Sequence, residues 1–373
     1  MDDQELLYTM ALTLAMPLHS RQQQTLMNEL GSATAIYENR RELIRMAEQG
    51  TSRIGQMLAS MDACLSRCEQ ELSYVRAHQI RVLPWQDKEL YPSRLRTCED
   101  APLVLYYLGN ADLNAQRIIS VVGTRRCTER GRELCQQFVR GLAEQCPDTL
   151  VVSGLAYGID VSAHRAALAS GLPTVAVLAH GLDEIYPRLH RQTAIEMLKT
   201  GGLLTEFVSK TKIDKLNFLQ RNRIVAGIAD ATLIVESPVR GGSLNTARLA
   251  MDYQREVFAF PGRPTDKTSE GCNLLIRSNG AALVNSVDDI IEDLGWEKVT
   301  KEKDLQADLF PMLEPEEQRI ADAMKTAEAD LSLADLSTSL QLPTFKLMPL
   351  LVSLEMKGVV KALPGARYHL LGQ

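Results

Sequence analysis

The stretch TLVVSGLAYGIDVSAH, residues 149–164, decides the fold. Leu150, Val151 and Val152 form an apolar run that stops at Ser153-Gly154. A second glycine, Gly158, precedes a helical pattern that carries Asp160 and His164. An apolar strand, a glycine turn and a helix start form the strand-exit unit of a parallel α/β sheet. Two chemistries fit this unit. Ser153, Asp160 and His164 could be a catalytic set, or the glycines could let backbone N–H groups approach an anion.

The same rhythm extends on both sides. IRVLPW, LVLYYLG, IISVVGT, TVAVLA, GLLTEF, TLIVES and VFAFPG alternate with helical segments such as 129–144, 160–169, 189–199 and 244–253. Strands apolar on both faces and separated by helices predict a Rossmann-like, doubly wound, mostly parallel sheet over 80–295. Its ligands belong at the carboxyl ends of the strands. Residues 1–78 read as an all-helical N-terminal domain, resembling a SAM or helix-hairpin-helix module, with Leu30-Gly31 as a stop between helices. Residues 297–314 read as a charged linker. In 315–373, three helices followed by a hairpin on Pro364-Gly365 give the winged-helix order.

Composition narrows the function. The 373 residues are 45% hydrophobic and 24% charged, ordinary for a globular protein of two or three domains. No run reaches the roughly 18 apolar residues of a membrane helix, and MDDQELLYTM has no signal-peptide shape, so the expected location is the cytoplasm. The seven cysteines are scattered without a CxxC pair and read as free thiols, with no metal site. The net charge is −6, but its distribution is uneven. Residues 117–132 hold Arg117, Arg125, Arg126, Arg130 and Arg132 against Glu129. Residues 210–223 hold Lys210, Lys212, Lys215, Arg221 and Arg223 against Asp214, whereas 302–335 carries ten acids and three bases. A basic central site on an acidic chain results. The third C-terminal helix, PTFKLMPLLVSLEMKG, has only Lys346 and Lys357 as bases, which favours protein contact or packing over duplex binding.

Several strand exits carry anion-binding residue types: Gly123, Thr124 and Arg125; Ser153, Gly154 and Gly158; Gly242 and Ser243. Together they suggest a phosphate-binding rim. Nucleotide cofactors are not supported, because GTRRCTERG lacks the GxGxxG fingerprint and GGSLNTA lacks the P-loop lysine. A nucleophile elbow would read GxSxG, whereas Ser153 precedes its glycine. Asp160 suits a helix start, and His164 a contact with Asp160 or a neighbouring strand.

The most informative segment is KTKIDKLNFLQRNRIVAGIAD, 210–230. Phe218 sits among Lys210, Lys212, Lys215, Arg221 and Arg223, ahead of an apolar helix. Two readings stand: Phe218 staples the helix start to the core, or it stacks on a base of single-stranded nucleic acid while the cations hold phosphate.

VVGTR, SGLAYGID with His164, IYP, GGLLTE, the RNRIVAG segment with Phe218, and GGSLNTA followed by VFAFPG and GCNLLI, in that order, resemble the DNA-processing protein A family, called DprA or Smf. The likeness runs from about 85 to 290 and includes YPSRLRTCEDAPLVLYYLGN at 91–110. It implies a non-enzymatic protein that binds and shields single-stranded DNA in natural transformation, helps load the recombinase RecA, and dimerises near 272–284. By the same resemblance Arg125, Lys215 and Phe218 contact DNA, and Arg221, Asn222 and Arg223 match the RNR motif. Leu219 departs from the proline usual after this phenylalanine. With Lys212 and the glycine-loop residues these form the expected DNA site, without cofactor or metal. Two rivals stand beside it. One is a nucleotide or phosphoribosyl hydrolase using Glu206 at the same sheet edge, and the other a winged-helix regulator with a ligand-sensing core.

Overall fold

The computed structural model describes residues 2–17, 19–48, 53–298, 313–327, 330–363 and 365–371. The chain forms two compact units, Met1–Val299 and Thr300–Gln373. The expected linker lies almost entirely outside the described residues, as does Pro364 of the expected hairpin turn.

The first unit is built on a nine-stranded sheet. Its strands are β1 (Arg81–Pro84), β2 (Val104–Gly109), β3 (Ile118–Val122), β4 (Leu150–Ser153), β5 (Thr174–Val177), β6 (Gly202–Thr205), β7 (Ala231–Ile234), β8 (Glu256–Ala259) and β9 (Ala282–Leu283). They lie in the order β1-β2-β6-β5-β4-β3-β7-β8-β9. All neighbours from β6 to β9 are parallel; β2 runs antiparallel to β6, and β1 to β2. From β3 the chain winds through β4 and β5 to β6, then returns to place β7 on the other side of β3. The β3/β7 boundary is therefore the topological switch point, where a crevice opens at the strands' carboxyl ends.

Strand periodicity explains the coverage of both faces. Ile118, Val122, Leu150 and Val152 pack with Ile224, Val225, Ala247 and Ala250 on one face. Their alternates Ile119, Val121 and Val151 pack with Phe138, Val139, Leu142, Ile159 and Ala163 on the other. Helices Lys215–Gly227 and Gly242–Asp252 thus cover one face, and Glu129–Gln145 and Ile159–Ala169 the other. The anticipated 189–199 helix is shorter: a single turn, Arg188–His190, leads into Arg191–Met197.

Five N-terminal helices, Asp3–Ala15, Ser20–Leu30, Ala33–Glu48, Arg53–Ala59 and Met61–Ala77, bury a core shared with Leu103, Val104 and Tyr106 of the β2 region. Polar contacts fix this junction. The buried Glu71 carboxylate accepts from Ser209 N at 2.9 Å and Ser209 Oγ at 2.5 Å. No helix is long and apolar enough to cross a membrane among the described residues.

The second unit is a winged helix. Helices Pro315–Ala327, Leu333–Leu340 and Thr344–Met356 enclose Ile320, Met324, Leu336, Leu347, Leu351 and Leu354. Three strands, β10 (Leu331–Ser332), β11 (Val360–Leu363) and β12 (Arg367–Leu370), pair antiparallel in the order β10-β12-β11.

Candidate nucleic-acid interface at the sheet switch point

A cleft of about 400 Å³ opens at the β3/β7 boundary. The β3 exit supplies Gly123, Thr124, Arg125 and Arg126, and the β4 exit supplies Gly154, Ala156 and Asp160. Helix Lys215–Gly227 contributes Lys215, Phe218, Leu219, Arg221 and Asn222, while Gly241, Gly242 and Ser243 close the far side. The helix begins here because Asp214 caps it, its carboxylate accepting from Leu216 N at 2.8 Å.

Arg125 and Phe218, 93 positions apart in the sequence, meet in this cleft. The Arg125 guanidinium carbon lies 5.2 Å from the Phe218 ring centroid, within cation–π range. Tyr186 meets the same ring edge-on, with centroids 5.9 Å apart and an interplanar angle of 63°. Arg125, Lys215 and Leu219 are exposed, and Tyr186 is 43% exposed. Exposed aromatic surface beside cations is costly in water unless a ligand covers it. Tyr186 was recognised in the sequence only as part of IYP, and nothing in its local pattern points to Phe218.

Arg221 and Arg223 differ from the expectation of phosphate contact. Arg221 lines the cleft floor but is 3% exposed. Its Nη1 donates to Gly154 O at 2.7 Å and to Val177 O. Burial pushes its guanidinium down to about 10, against the opposing pull of Asp160. Glycine at 154 lets this guanidinium pack against the β4 exit: a Cβ there would stand 2.4 Å from Arg221 Nη1. Arg223 points away from the cleft. It pairs with the buried Glu206 carboxylate and also donates to Asp100 O and Ser20 Oγ. The two arginines leave their helix in different directions, Arg221 beneath the cleft and Arg223 away from it, and each is buried against protein acceptors.

Three further expected site residues lie elsewhere. Ser153 is fully buried and its Oγ donates to Val121 O at 2.6 Å, tying β4 to β3. Gly158, at φ +81°, lets the β4 exit press onto the β3 exit; a Cβ would meet Thr124 O at 2.2 Å. Lys212 is exposed but outside the cleft lining. Of the remainder, Thr124 N donates to Glu236 O at 2.7 Å and Ser243 Oγ to Ser237 Oγ at 2.7 Å, while Gly242 faces open space.

The catalytic set does not assemble. His164 is fully buried, and its Nδ1 lies 2.7 Å from Thr174 Oγ1 on β5. Since Thr174 Oγ1 donates to Val151 O at 2.9 Å, His164 Nδ1–H is the donor to Thr174. Burial, followed by the nearby Arg221 charge, pushes His164 down to about 3, so the ring is neutral. Asp160 lies in the first turn of Ile159–Ala169 and lines the cleft. Burial raises its carboxyl and Arg221 opposes that shift. Among the described residues no group of three His, Cys, Asp or Glu side chains is placed to hold a metal ion.

A doubly wound sheet with a basic, aromatic cleft at its switch point defines a Rossmann-like protein. A family model described as DNA recombination-mediator protein A matches residues 81–295, and one for the DprA winged helix domain matches 306–366. The chain belongs to the DprA family. It is 45% identical over 205 residues to a putative DNA processing protein DprA of Mycobacterium tuberculosis, covering 54% of this chain and 52% of that one. It is 38% identical over 210 residues to DNA processing protein DprA of Streptococcus pneumoniae, covering 56% and 70%. The chain thus spans about half the length of the first of these relatives. The X-ray structure of the Streptococcus pneumoniae protein superposes with a TM-score of 0.64 at 30% identity, covering 76% of this chain and 95% of that one. DNA processing protein A of Helicobacter pylori, solved for its single-stranded DNA binding mode, gives 0.52 at 29% identity, covering 58% and 95%.

Proposed function

We propose that the switch-point cleft binds single-stranded DNA and that the protein acts as a recombination mediator, shielding incoming strands in natural transformation and helping to load RecA in the cytoplasm. The observation that carries the binding reading is the convergence of Arg125, Phe218 and Tyr186 at one sheet edge. An aromatic ring accepts any base, and cations hold the phosphates, so binding is tolerant of sequence and sensitive to salt. Arg125 and Lys215 serve phosphate, with Asn222, Gly123, Thr124 and Gly242 along the path. Phe218 stacks on a base. The solved Helicobacter pylori relative supports the choice of ligand. The hydrolase rival needs an available carboxylate, and Glu206 is taken by Arg223 and by Gln220 Nε2 at 3.1 Å. We further propose domain limits of 1–78, 80–295 and 315–373, and a homodimer through 272–284. There the edge strand β9 and the exposed Leu274 and Leu283 are available for pairing.

The test compares labelled oligo-dT with matching duplex over a salt series, for the wild type, Arg125→Ala and Phe218→Ala. Preference for oligo-dT, lost in both variants, is the expected result. Equal duplex binding, or variants that bind oligo-dT like the wild type, would overturn the assignment. A nucleotide-turnover assay on the same samples addresses the hydrolase.

A further inference from the structure

We infer that the rim carries a second holding site for the same DNA strand, centred on Tyr157, across the β4 exit turn from the first cleft. This rests on the reading of the first cleft as a single-stranded DNA site. The turn Gly154–Gly158 walls two clefts at once. Gly154 and Ala156 line the switch-point cleft, whereas Tyr157 and Gly158 line a separate cleft of about 410 Å³. Ala156 and Tyr157 are consecutive, so neighbouring residues of one turn line the two clefts. The ridge is also held down, because Gly158 packs directly on the Thr124 carbonyl of the β3 exit. The proposed strand passes from Arg125 over this shared turn.

The second cleft repeats the chemistry of the first with different residues. Tyr157 is 44% exposed, and Leu189 beside it is 72% exposed. The tyrosine ring is braced from below: it meets the His190 ring edge-on, with centroids 5.0 Å apart and an interplanar angle of 70°. His190 is itself buried, its Nδ1 2.8 Å from Leu155 O. A ring fixed in this way loses little freedom when a base stacks on it. Arg132 and Arg165 line the same cleft, and no carboxylate does so among the described residues. Arg132 pairs with Glu129 at 2.7 Å, but both side chains are well exposed and such a pair yields readily to a phosphate. Arg165 is exposed and anchored by Nε, which donates to Thr193 Oγ1 at 3.2 Å. A braced aromatic face with two guanidiniums, one of them held only by an exposed ion pair, suits a phosphodiester strand carrying a stackable base.

The experiment titrates the full chain with oligo-dT in a ladder of lengths, for the wild type, Tyr157→Ala, Tyr157→Phe, Arg165→Ala and Arg125→Ala. Photocrosslinking to iododeoxyuridine-substituted oligomers accompanies the titrations. Tyr157→Ala and Arg165→Ala are expected to weaken long oligomers by roughly tenfold while leaving the shortest bound oligomer unaffected. Tyr157→Phe should restore the long-oligomer affinity, and crosslinks should map to the peptide containing Tyr157. Unchanged affinity at every length in Tyr157→Ala, or crosslinks confined to the Phe218 and Tyr186 peptides, would overturn the second site alone. If Arg125→Ala also bound all lengths like the wild type, or the wild type bound none, both sites would fall.

Discussion

The helix Lys215–Gly227 has two sides, and they use similar residues for opposite purposes. Toward the cleft it presents Lys215, Phe218, Leu219 and Asn222. Beneath them Arg221, in the cleft floor, is buried against the carbonyls of Gly154 and Val177, and Arg223, away from the cleft, against the carboxylate of Glu206. Charge density in a sequence therefore does not identify a phosphate site. A buried guanidinium already surrounded by acceptors is a structural strut, whereas an exposed one resting on an aromatic ring is available to a ligand.

The sharpest way to separate the two sides is to disturb one at a time. Glu206→Gln leaves the buried Arg223 charge without its partner, and losing one member of such a pair costs about 3–5 kcal/mol. Chemical denaturation should show that loss, while the oligo-dT affinity of the folded fraction stays unchanged. A weakened affinity with unchanged stability would reverse the roles assigned to the two sides. On the cleft side, Phe218→Ala and Arg125→Ala should each cost roughly 1–3 kcal/mol of oligo-dT affinity. Their denaturation midpoints should stay near wild type, as expected for surface changes.

The sheet was legible because each parallel strand is apolar on both faces and each helix between them keeps its period. The switch point followed less directly, since only the pairing of β3 with β7 places GTR beside the 241–243 turn. β10 went unread because two residues, Leu331 and Ser332, carry no strand pattern. Within the site, Arg125 and Phe218 could be paired from their chemistry and the expected strand-exit geometry. Tyr186 could not, because its contact with Phe218 is made only by the tertiary fold. Ser153 was misassigned for a related reason. A hydroxyl at a strand end serves either a ligand or the next strand, and only the Val121 carbonyl at 2.6 Å decides between them. Arg221 and Arg223 show the same limit, since their segment displays charge but not which helix face is covered.

The buried Arg221 also reaches His164, where its charge adds to burial in keeping the imidazole neutral. A histidine whose folded pKa lies at about 3, below its unfolded value of about 6.5, binds fewer protons folded than unfolded between those limits. Its contribution to stability is complete above about pH 6.5 and declines as pH falls toward about 3, by up to about 1.4 kcal/mol per pH unit. Acid titration of stability should show this slope in the wild type and a reduced one in His164→Gln. An equal slope in both would remove His164 from the account.

The smallest expected effect tests the border between the two sides, at Asp160. Its carboxylate lines the cleft yet lies close enough to Arg221 to oppose that arginine's loss of charge by burial. Its negative charge opposes a phosphate in the proposed DNA site. Asp160→Asn should therefore tighten oligo-dT binding by roughly two- to fivefold at low salt, a gain of up to about 1 kcal/mol, and the gain should shrink as salt rises. Weaker binding in Asp160→Asn would mean that the carboxylate's hold on the Arg221 floor matters more to the cleft than its repulsion of the strand. The boundary between strut and ligand site would then lie one residue layer further into the cleft.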